Sequence, residues 1–574
     1  VSGVYVSNTG GPFRTAGLHP GDLIQAINNK PTRDLTEFIS AVKQIPNKSI
    51  ITIKYKSISA PHEVDIITGY FDALWYKDFY LATRNDTTGV WDFEDLGSFS
   101  PEEPIKPLKA HFSKLFTKEK NLESFPRSFV GVSTYNPIIV GDGSIQSTPG
   151  MGLVIDSKKG LVLVSKYFVQ SDLGCFRLTF AASVTIPAKP LFFHPVYGFV
   201  ILKYDPTLIL APVEEIKVSQ VPLKKGDELY AICRVIGSKF TCIETKVRSK
   251  ELLETRLDSH KIDYAPANCE VISVVPRVSS SALCGVLAEK NGDVRGIFLR
   301  FDHCYYGNAD SQPDSLGCID ICQISDIIDT LKATDDIPLV RMIDAEFDDI
   351  PITVARTLGV KEEWIEKLGD SNVDGDAEML RFISVYSITC PRYEEKHLKK
   401  DRLQVADIIL AVNGNFVNKI SDITSLMSNN ELEFRVVRDK QEMVLKIATD
   451  TVETTTKMIK WCGVLLKKPH HSLRQAVEEL PSDIFVSAFL TGSPAHHYGL
   501  CGQYFITHIN DKETPTIDKF LAAIKTVPTN TYVRIRAVNM KNSSVMVTLK
   551  TDYHYFPTTG FEKDSAGDWK CVLY

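Results

Sequence analysis

Residues 17–46 read GLHPGDLIQAINNKPTRDLTEFISAVKQIP, residues 499–528 read GLCGQYFITHINDKETPTIDKFLAAIKTVP, and the two align without a gap. Gly17, Leu18, Ile24, Ile27, Asn28, Lys30, Phe38, Ala41, Lys43 and Pro46 recur unchanged at the matched places. Such self-similarity marks a duplicated supersecondary unit. Within it, Leu23-Ile24-Gln25-Ala26-Ile27 reads as a strand that stops at the turn-forming pair Asn28-Asn29. Leu35, Phe38, Ile39 and Val42 follow at helical spacing, with Asp34 or Thr32 as candidate cap and Pro46 closing the helix. Two more strands come next, at 50–55 and 64–67, matched by 532–538 and 544–549. A weaker third copy runs VADIILAVNG over 405–414 and resumes at Ile420-Ser421-Asp422-Ile423.

Around these copies lies a chain of 574 residues, about four units at roughly 150 residues each. Hydrophobic residues make up 44% and charged residues 24%, ordinary for globular domains. A net charge of −6 gives no field strong enough to hold nucleic acid or an anionic membrane surface, so neither is an expected partner. No stretch approaches the ~18 uninterrupted apolar residues that a membrane span requires. The chain opens at Val1, and Gly3-Val4-Tyr5-Val6 already reads as a core strand, so a fragment of something longer is expected. No charged-then-apolar leader stands at its start, and secretion gains no support. Twelve scattered cysteines point to free, buried thiols in a reducing compartment. The tightest group, His303, Cys304, Cys318 and Cys322, matches no strong zinc spacing, and no metal or cofactor is expected.

Each repeat copy resembles a PDZ domain of the HtrA-protease type, in which Gly-Leu, Gly-Asp-Leu-Ile and Ile-Asn recur. The first copy carries these at Gly17-Leu18, Gly21-Asp22-Leu23-Ile24 and Ile27-Asn28; the last departs at Gln503-Tyr504. The resemblance implies binding of extended peptides or protein C-termini, added as a strand to a sheet edge with the carboxylate held by backbone N–H groups. The implied acceptor is Trp461-Cys462-Gly463-Val464 in the last copy and 343–350, which lacks glycine, in the middle one. In the first copy the chain begins after the place of this strand. Aromatic strips at 70–91 and 553–569 follow the outer copies and are expected to pack back on them. Between 98 and 127 a Pro- and Lys-bearing linker is read as a solvated face, with an amphipathic basic helix for an acidic partner as the alternative.

Residues 128–335 have many short β-branched strands with Gly and Pro turns, the signal of a sandwich or barrel. Three segments resemble a trypsin-like HtrA protease in the order His, Asp, Ser. The strand of 160–169 carries Tyr167 where that family has histidine, the segment of 193–206 carries Gly198 where it has aspartate, and Ser279–Leu287 puts Cys284 at the nucleophile place. Acyl transfer needs a nucleophile, a base and a group that orients the base. A phenol, ordinarily titrating near ~10, holds its proton at neutral pH, and glycine orients nothing. A cysteine nucleophile needs a neighbouring cation or helix N-terminus; the nearest candidate is His194.

The fold class expected is therefore mainly β and multidomain: a degenerate trypsin-like double β-barrel with three PDZ-like domains. The divisions are 1–68, PDZ-like; 69–127, aromatic tail and linker; 128–335, degenerate protease domain; 336–455 and 456–552, PDZ-like; 553–574, aromatic tail. This order resembles the C-terminal part of the fungal nuclear HtrA-like pro-apoptotic serine proteases, in which an active unit precedes a degenerate one. The resemblance implies a proteolytic full-length protein in the nucleus, possible presence in the cytoplasm, and self-association or contact with an active protease half. A stand-alone PDZ scaffold and a cysteine protease using Cys284 are the competing readings.

Overall fold

The turn that ends the first repeated strand recurs three times in the computed structural model. Asn28-Asn29 (φ 47° and 63°), Asn413-Gly414 (50° and 79°) and Asn510-Asp511 (47° and 64°) are all left-handed, the requirement of the two-residue turn that fits twisted strands. Each leading Asn locks its turn to the opposite strand. Its N–H donates to the carbonyl of Thr52, Glu433 or Arg534 at 2.8 Å. Its Oδ1 accepts the N–H of that same residue at 2.8–2.9 Å. The Gly21 place also persists: Gly21, Ala406 and Gln503 have φ of 99°, 71° and 67°, so the Gln503-Tyr504 departure leaves the loop geometry intact.

The structure describes all residues except 1–2, 9–12, 14–15, 61, 76–78, 137–148, 236–238, 256–267, 302–303, 306–315, 335, 372–379, 394–400 and 452–453, and leaves the side chains of 254–255 and 304–305 undescribed.

The first unit orders β1 (Val4–Tyr5), β2 (Leu23–Ile27), β3 (Ser49–Lys56) and β4 (Asp65–Phe71) in one antiparallel sheet. Helix α1 (Leu35–Lys43) crosses it, capped by Asp34, whose Oδ1 accepts Glu37 N–H at 2.9 Å. Thr32 is instead buried and donates to Ile24 O. A separate hairpin, β5 (Tyr80–Arg84) and β6 (Trp91–Asp95), follows. No helix forms in the linker between 98 and 127 beyond single 3-10 turns; Leu115, Leu122 and Phe125 are buried, so the segment straps the barrels rather than forming the alternative basic helix.

Strands β7 (Phe129–Tyr135), β8 (Pro149–Asp156), β9 (Leu161–Ser165), β10 (Cys175–Phe180), β11 (Val184–Phe193) and β12 (Phe199–Tyr204) close into a barrel in the order β8-β9-β12-β11-β10-β7. A second ring joins β13 (Glu228–Val235), β14 (Phe240–Leu252), β15 (Glu270–Val275), β16 (Ala282–Ala288), β17 (Asp293–Arg300) and β18 (Leu316–Asp320). Its order is β17-β16-β13-β14-β15-β18, closed by β17–β18 pairing. Closure removes the exposed edges that an open sheet would present.

The middle unit orders β19 (Ala345–Pro351), β20 (Arg381–Ile388), β21 (Ile408–Val412), β22 (Glu431–Arg438) and β23 (Gln441–Ala448), with a short α2 (Ile420–Thr424). In the last unit, β24 (Lys457–Trp461), β25 (Val464–Lys467), β26 (Phe485–Phe489), β27 (Tyr504–Ile509), β28 (Tyr532–Asn539) and β29 (Ser544–Lys550) share one sheet with β30 (Thr559–Lys563) and β31 (Trp569–Leu573) of the tail. Helices α3 (His471–Gln475) and α4 (Ile517–Ile524) belong to it. The fold is thus mainly β: two six-stranded barrels with PDZ-like units. One buried cluster runs from the barrels (Leu163, Val286, Ile297) into the middle unit (Phe347, Ile383, Phe434). A second joins Trp75, Leu173, Met458, Phe561 and Trp569, tying both aromatic strips to the first barrel and the last unit.

Candidate functional site

Tyr167 stands just past β9 and Gly198 just before β12, and the chain pairs them closely: Lys166 N–H donates to Gly198 O at 2.8 Å. Ser165 Oγ accepts Tyr167 N–H at 3.2 Å and donates to Arg300 O at the end of β17. The Arg300 guanidinium lies 5.3 Å from the centre of the Tyr167 ring, and its Nη1 reaches Ala282 O at 3.5 Å. The three segments with triad places therefore converge around Arg300.

Cys284 does not turn its side chain toward that point. Side chains alternate along a strand, and in β16 it is Leu283 that packs on the cluster holding Tyr167. Cys284 faces the other way, 1% exposed, into the cluster with Val286, Ala288 and Ile297. Cys284, the expected nucleophile place, thus lies on the opposite face of β16 from Leu283. Burial pushes the Cys284 thiol up to about 12. His194 supplies no cation: buried against Phe199 at 4.8 Å, it accepts the N–H groups of Val196 and Tyr197 on Nδ1, both at 3.1 Å. Burial, with the nearby Lys166 charge, lowers its imidazole to about 3. The loop amides ahead of β16 are spent locally, Ala282 N–H on Ser279 O at 2.9 Å and Ser281 N–H on Ser279 Oγ at 3.3 Å. An oxyanion hole needs such donors free and aimed at one spot. At the three expected triad places stand a phenol, a glycine and a buried thiol, and beside them burial lowers the Lys166 ammonium to about 7.

The expected peptide acceptor of the last unit is also occupied. Cys462 (φ 48°) and Gly463 (φ 89°) form the tight turn of the β24–β25 hairpin. Trp461 and Cys462 are fully buried. Trp461 Nε1–H donates to Tyr553 Oη at 3.3 Å, and its ring meets Phe520 of α4 edge-on at 5.4 Å. The turn carbonyls are taken as well: Cys462 O accepts Ala495 N–H at 3.1 Å and Gly463 O accepts Leu490 N–H at 2.8 Å. Val464 begins β25, whose two edges pair with β24 and β26. Lys457 Nζ lies 3.5 Å from Asp518 Oδ1, so β24 runs beside α4, in the slot where an added strand would lie. Trp461, Cys462, Gly463 and Val464 therefore build a filled groove, which corrects the open one expected.

Leu35 of α1 is 49% exposed and Phe38 half-buried, whereas their counterparts Ile517 and Phe520 are 4% and 0% exposed. The 343–350 stretch supplies β19, an edge strand of its sheet. Of the suspected thiol cluster, His303 and the Cys304 side chain lie outside the described residues, and among the described residues no three His, Cys, Asp or Glu converge as metal ligands.

A family described as PDZ-like domain matches residues 1–48 and 453–530. The chain is 34% identical to the pro-apoptotic serine protease NMA111 of Lodderomyces elongisporus, over 99% of this chain and 58% of that protein. The same-named proteins of Kluyveromyces lactis and Saccharomyces cerevisiae are 35% and 34% identical, over 99% and 98% of this chain and 57% and 56% of theirs. The chain thus spans a little more than half the length of the curated relatives it matches. Among solved structures it is similar to an HtrA-type protease AlgW with tripeptide (12% identity, TM-score 0.38, 58% of this chain and 96% of that one). It is also similar to a serine endoprotease of Yersinia pestis (13%, TM-score 0.35, 59% and 100%).

Sequence reasoning missed Leu283 and Arg300. The parity of β16 was the available signal: Cys284, Val286 and Ala288 read as one apolar face, which leaves Leu283 on the other.

Proposed function

We propose that this chain is the non-catalytic, binding and assembly part of an HtrA-type serine endopeptidase, and that the whole protein is proteolytic, pro-apoptotic and nuclear. The observation that carries this reading is the cleft itself: Tyr167 lies beside Arg300, Lys166 N–H pairs with Gly198 O, and Cys284 is buried in a different cluster, so the expected triad places hold no His, Asp or Ser. A cysteine protease is disfavoured because the Cys284 thiol is buried, raised to about 12 and turned away from Tyr167. Binding falls to the PDZ-like units, for an extended peptide, a protein C-terminus or an active protease half.

The test is to incubate the purified chain with casein and with fluorophosphonate and thiol probes from about pH 5 to about pH 9. No turnover and no labelling at Cys284 is expected. Hydrolysis abolished by one substitution within 128–335 would falsify the proposal. Nuclear residence is checked by imaging the tagged full-length protein; uniform exclusion from nuclei removes that part of the reading.

A further inference from the structure

Strand β19 of the middle unit occupies the place that β25 holds in the last unit. The outer edge of β25 is paired with β24. Across the outer edge of β19 stands a side chain of the second barrel, Asn268, two residues ahead of β15. Its Nδ2–H donates to Ala345 O at 2.9 Å, and its Oδ1 accepts Phe347 N–H at 2.9 Å. A carboxamide carries one donor and one acceptor in the same plane as a backbone peptide group, so it pairs with a strand edge as another strand would. Asn268 is 8% exposed and held at φ 58°, in the left-handed region that few residue types other than glycine and asparagine enter readily.

The barrel also lines the rest of the cleft between β19 and α2. Leu253 and Cys269 are buried in the same cluster as Phe347, Ile420 and Ile423. Tyr197 Oη of the first barrel lies 3.3 Å from Thr424 Oγ1, and Lys250 Nζ of the second lies 3.4 Å from Ser421 Oγ. Both walls are touched by one partner.

We propose that the β19–α2 cleft is a strand-binding site whose resident ligand is the second barrel, latched by Asn268, so that an extended apolar peptide and the barrel compete for the same strand edge. The latch explains why the middle unit does without a hairpin like β24–β25: the barrel makes the edge contacts instead. The competition half rests on the peptide-binding reading of the PDZ-like units; the latch half does not, and the two are read separately.

The test uses the full chain with Asn268→Ala and, in case that variant folds poorly, Asn268→Asp, which keeps the acceptor for Phe347 N–H and loses the donor to Ala345 O. Amide exchange is followed by mass spectrometry in peptides covering Ala345–Pro351. In parallel, a labelled peptide with the sequence of residues 454–461, the segment ending in β24, is titrated. The latch predicts exchange at Phe347 faster by about tenfold or more in Asn268→Ala and by less in Asn268→Asp, with β9 and β24 unchanged. Competition predicts that the peptide binds Asn268→Ala about tenfold more tightly than the parent chain. Unchanged exchange at Phe347 in both variants overturns the latch, as does faster exchange throughout both barrels, which would make Asn268 a general packing residue. Faster exchange at Phe347 with equal peptide affinity keeps the latch and overturns the competition.

Discussion

Gly463 separates the two readings of the last unit, because a peptide-cradling glycine and a turn glycine respond differently to Gly463→Ala. At φ 89° an alanine enters the left-handed region, at a cost of about 1–2 kcal/mol. Its Cβ would also meet Ser493 Cβ at 2.1 Å and Oγ at 2.3 Å. Ser493 is fully buried and accepts His496 N–H at 3.3 Å, so it has little room to move. Overpacking of this kind adds about 1–3 kcal/mol. A total of about 2–5 kcal/mol lowers the free energy of opening the β24–β25 hairpin, and at 1.4 kcal/mol per tenfold exchange there speeds by roughly 30-fold to 4,000-fold. Hydrogen exchange of the full chain, resolved to peptides covering Lys457–Lys467, reads this directly, with Leu161–Ser165 of the first barrel as the unaffected reference. A change of less than threefold at 457–467 would refute the reasoning, since the strand would then not depend on this turn. Affinity for C-terminal peptides should not move, because β25 has no free edge to lose.

Three other outcomes follow from local geometry. Gly285→Ala puts a Cβ 2.2 Å from Cys233 Sγ and 2.9 Å from Ile232 O, so it should destabilise the second barrel by about 2–3 kcal/mol, and adding Cys233→Ala should recover part of that; no recovery in the double variant points to the backbone contact alone. Burial raises the Asp349 carboxyl to about 6, against the pull of Arg381. The penalty is fully present above about pH 6 and fades toward the ordinary value near 4, so Asp349→Asn should raise the unfolding free energy from urea titration by about 1 kcal/mol more at pH 7 than at pH 5, and an equal gain at both pH values contradicts it. Iodoacetamide at pH 8 should modify the partly exposed Cys501 well before the buried Cys284, and the reverse order in the folded chain would mean that β16 opens readily.

What could be read in advance divides along physical lines. Turn chemistry is local, so Asn28-Asn29, Asn413-Gly414 and Asn510-Asp511 declared the PDZ-like copies and all three turns took the left-handed geometry. Barrel closure follows from many short strands, and those strands closed into two rings. The errors lie where a single residue of register, or a partner distant in sequence, decides the outcome. Leu283 and Cys284 are neighbours of equal apolar character, and only the alternation of β16 tells which one faces the first barrel's buried cluster. Trp461-Cys462-Gly463-Val464 has the same composition whether it cradles a carboxylate or turns a hairpin; the strand that fills the slot, β24, lies upstream of the motif. Asn268 pairs with Ala345 and Phe347, and nothing in its own neighbourhood marks it as a strand mimic.

These same features give the barrels a part in holding the middle unit. Arg300 and Tyr167 meet at the interface of the two barrels. Yet the buried cluster does not stop there: it runs from Leu163 through Val286 to Phe347 and Phe434 without a break between barrel and middle unit. Removing the barrels would expose the β19 edge and the α2 wall together, since Asn268, Leu253, Cys269, Tyr197 and Lys250 all come from them. A change at Asn268, remote from Tyr167 in sequence, is therefore expected to reach the middle unit directly, through Ala345 and Phe347.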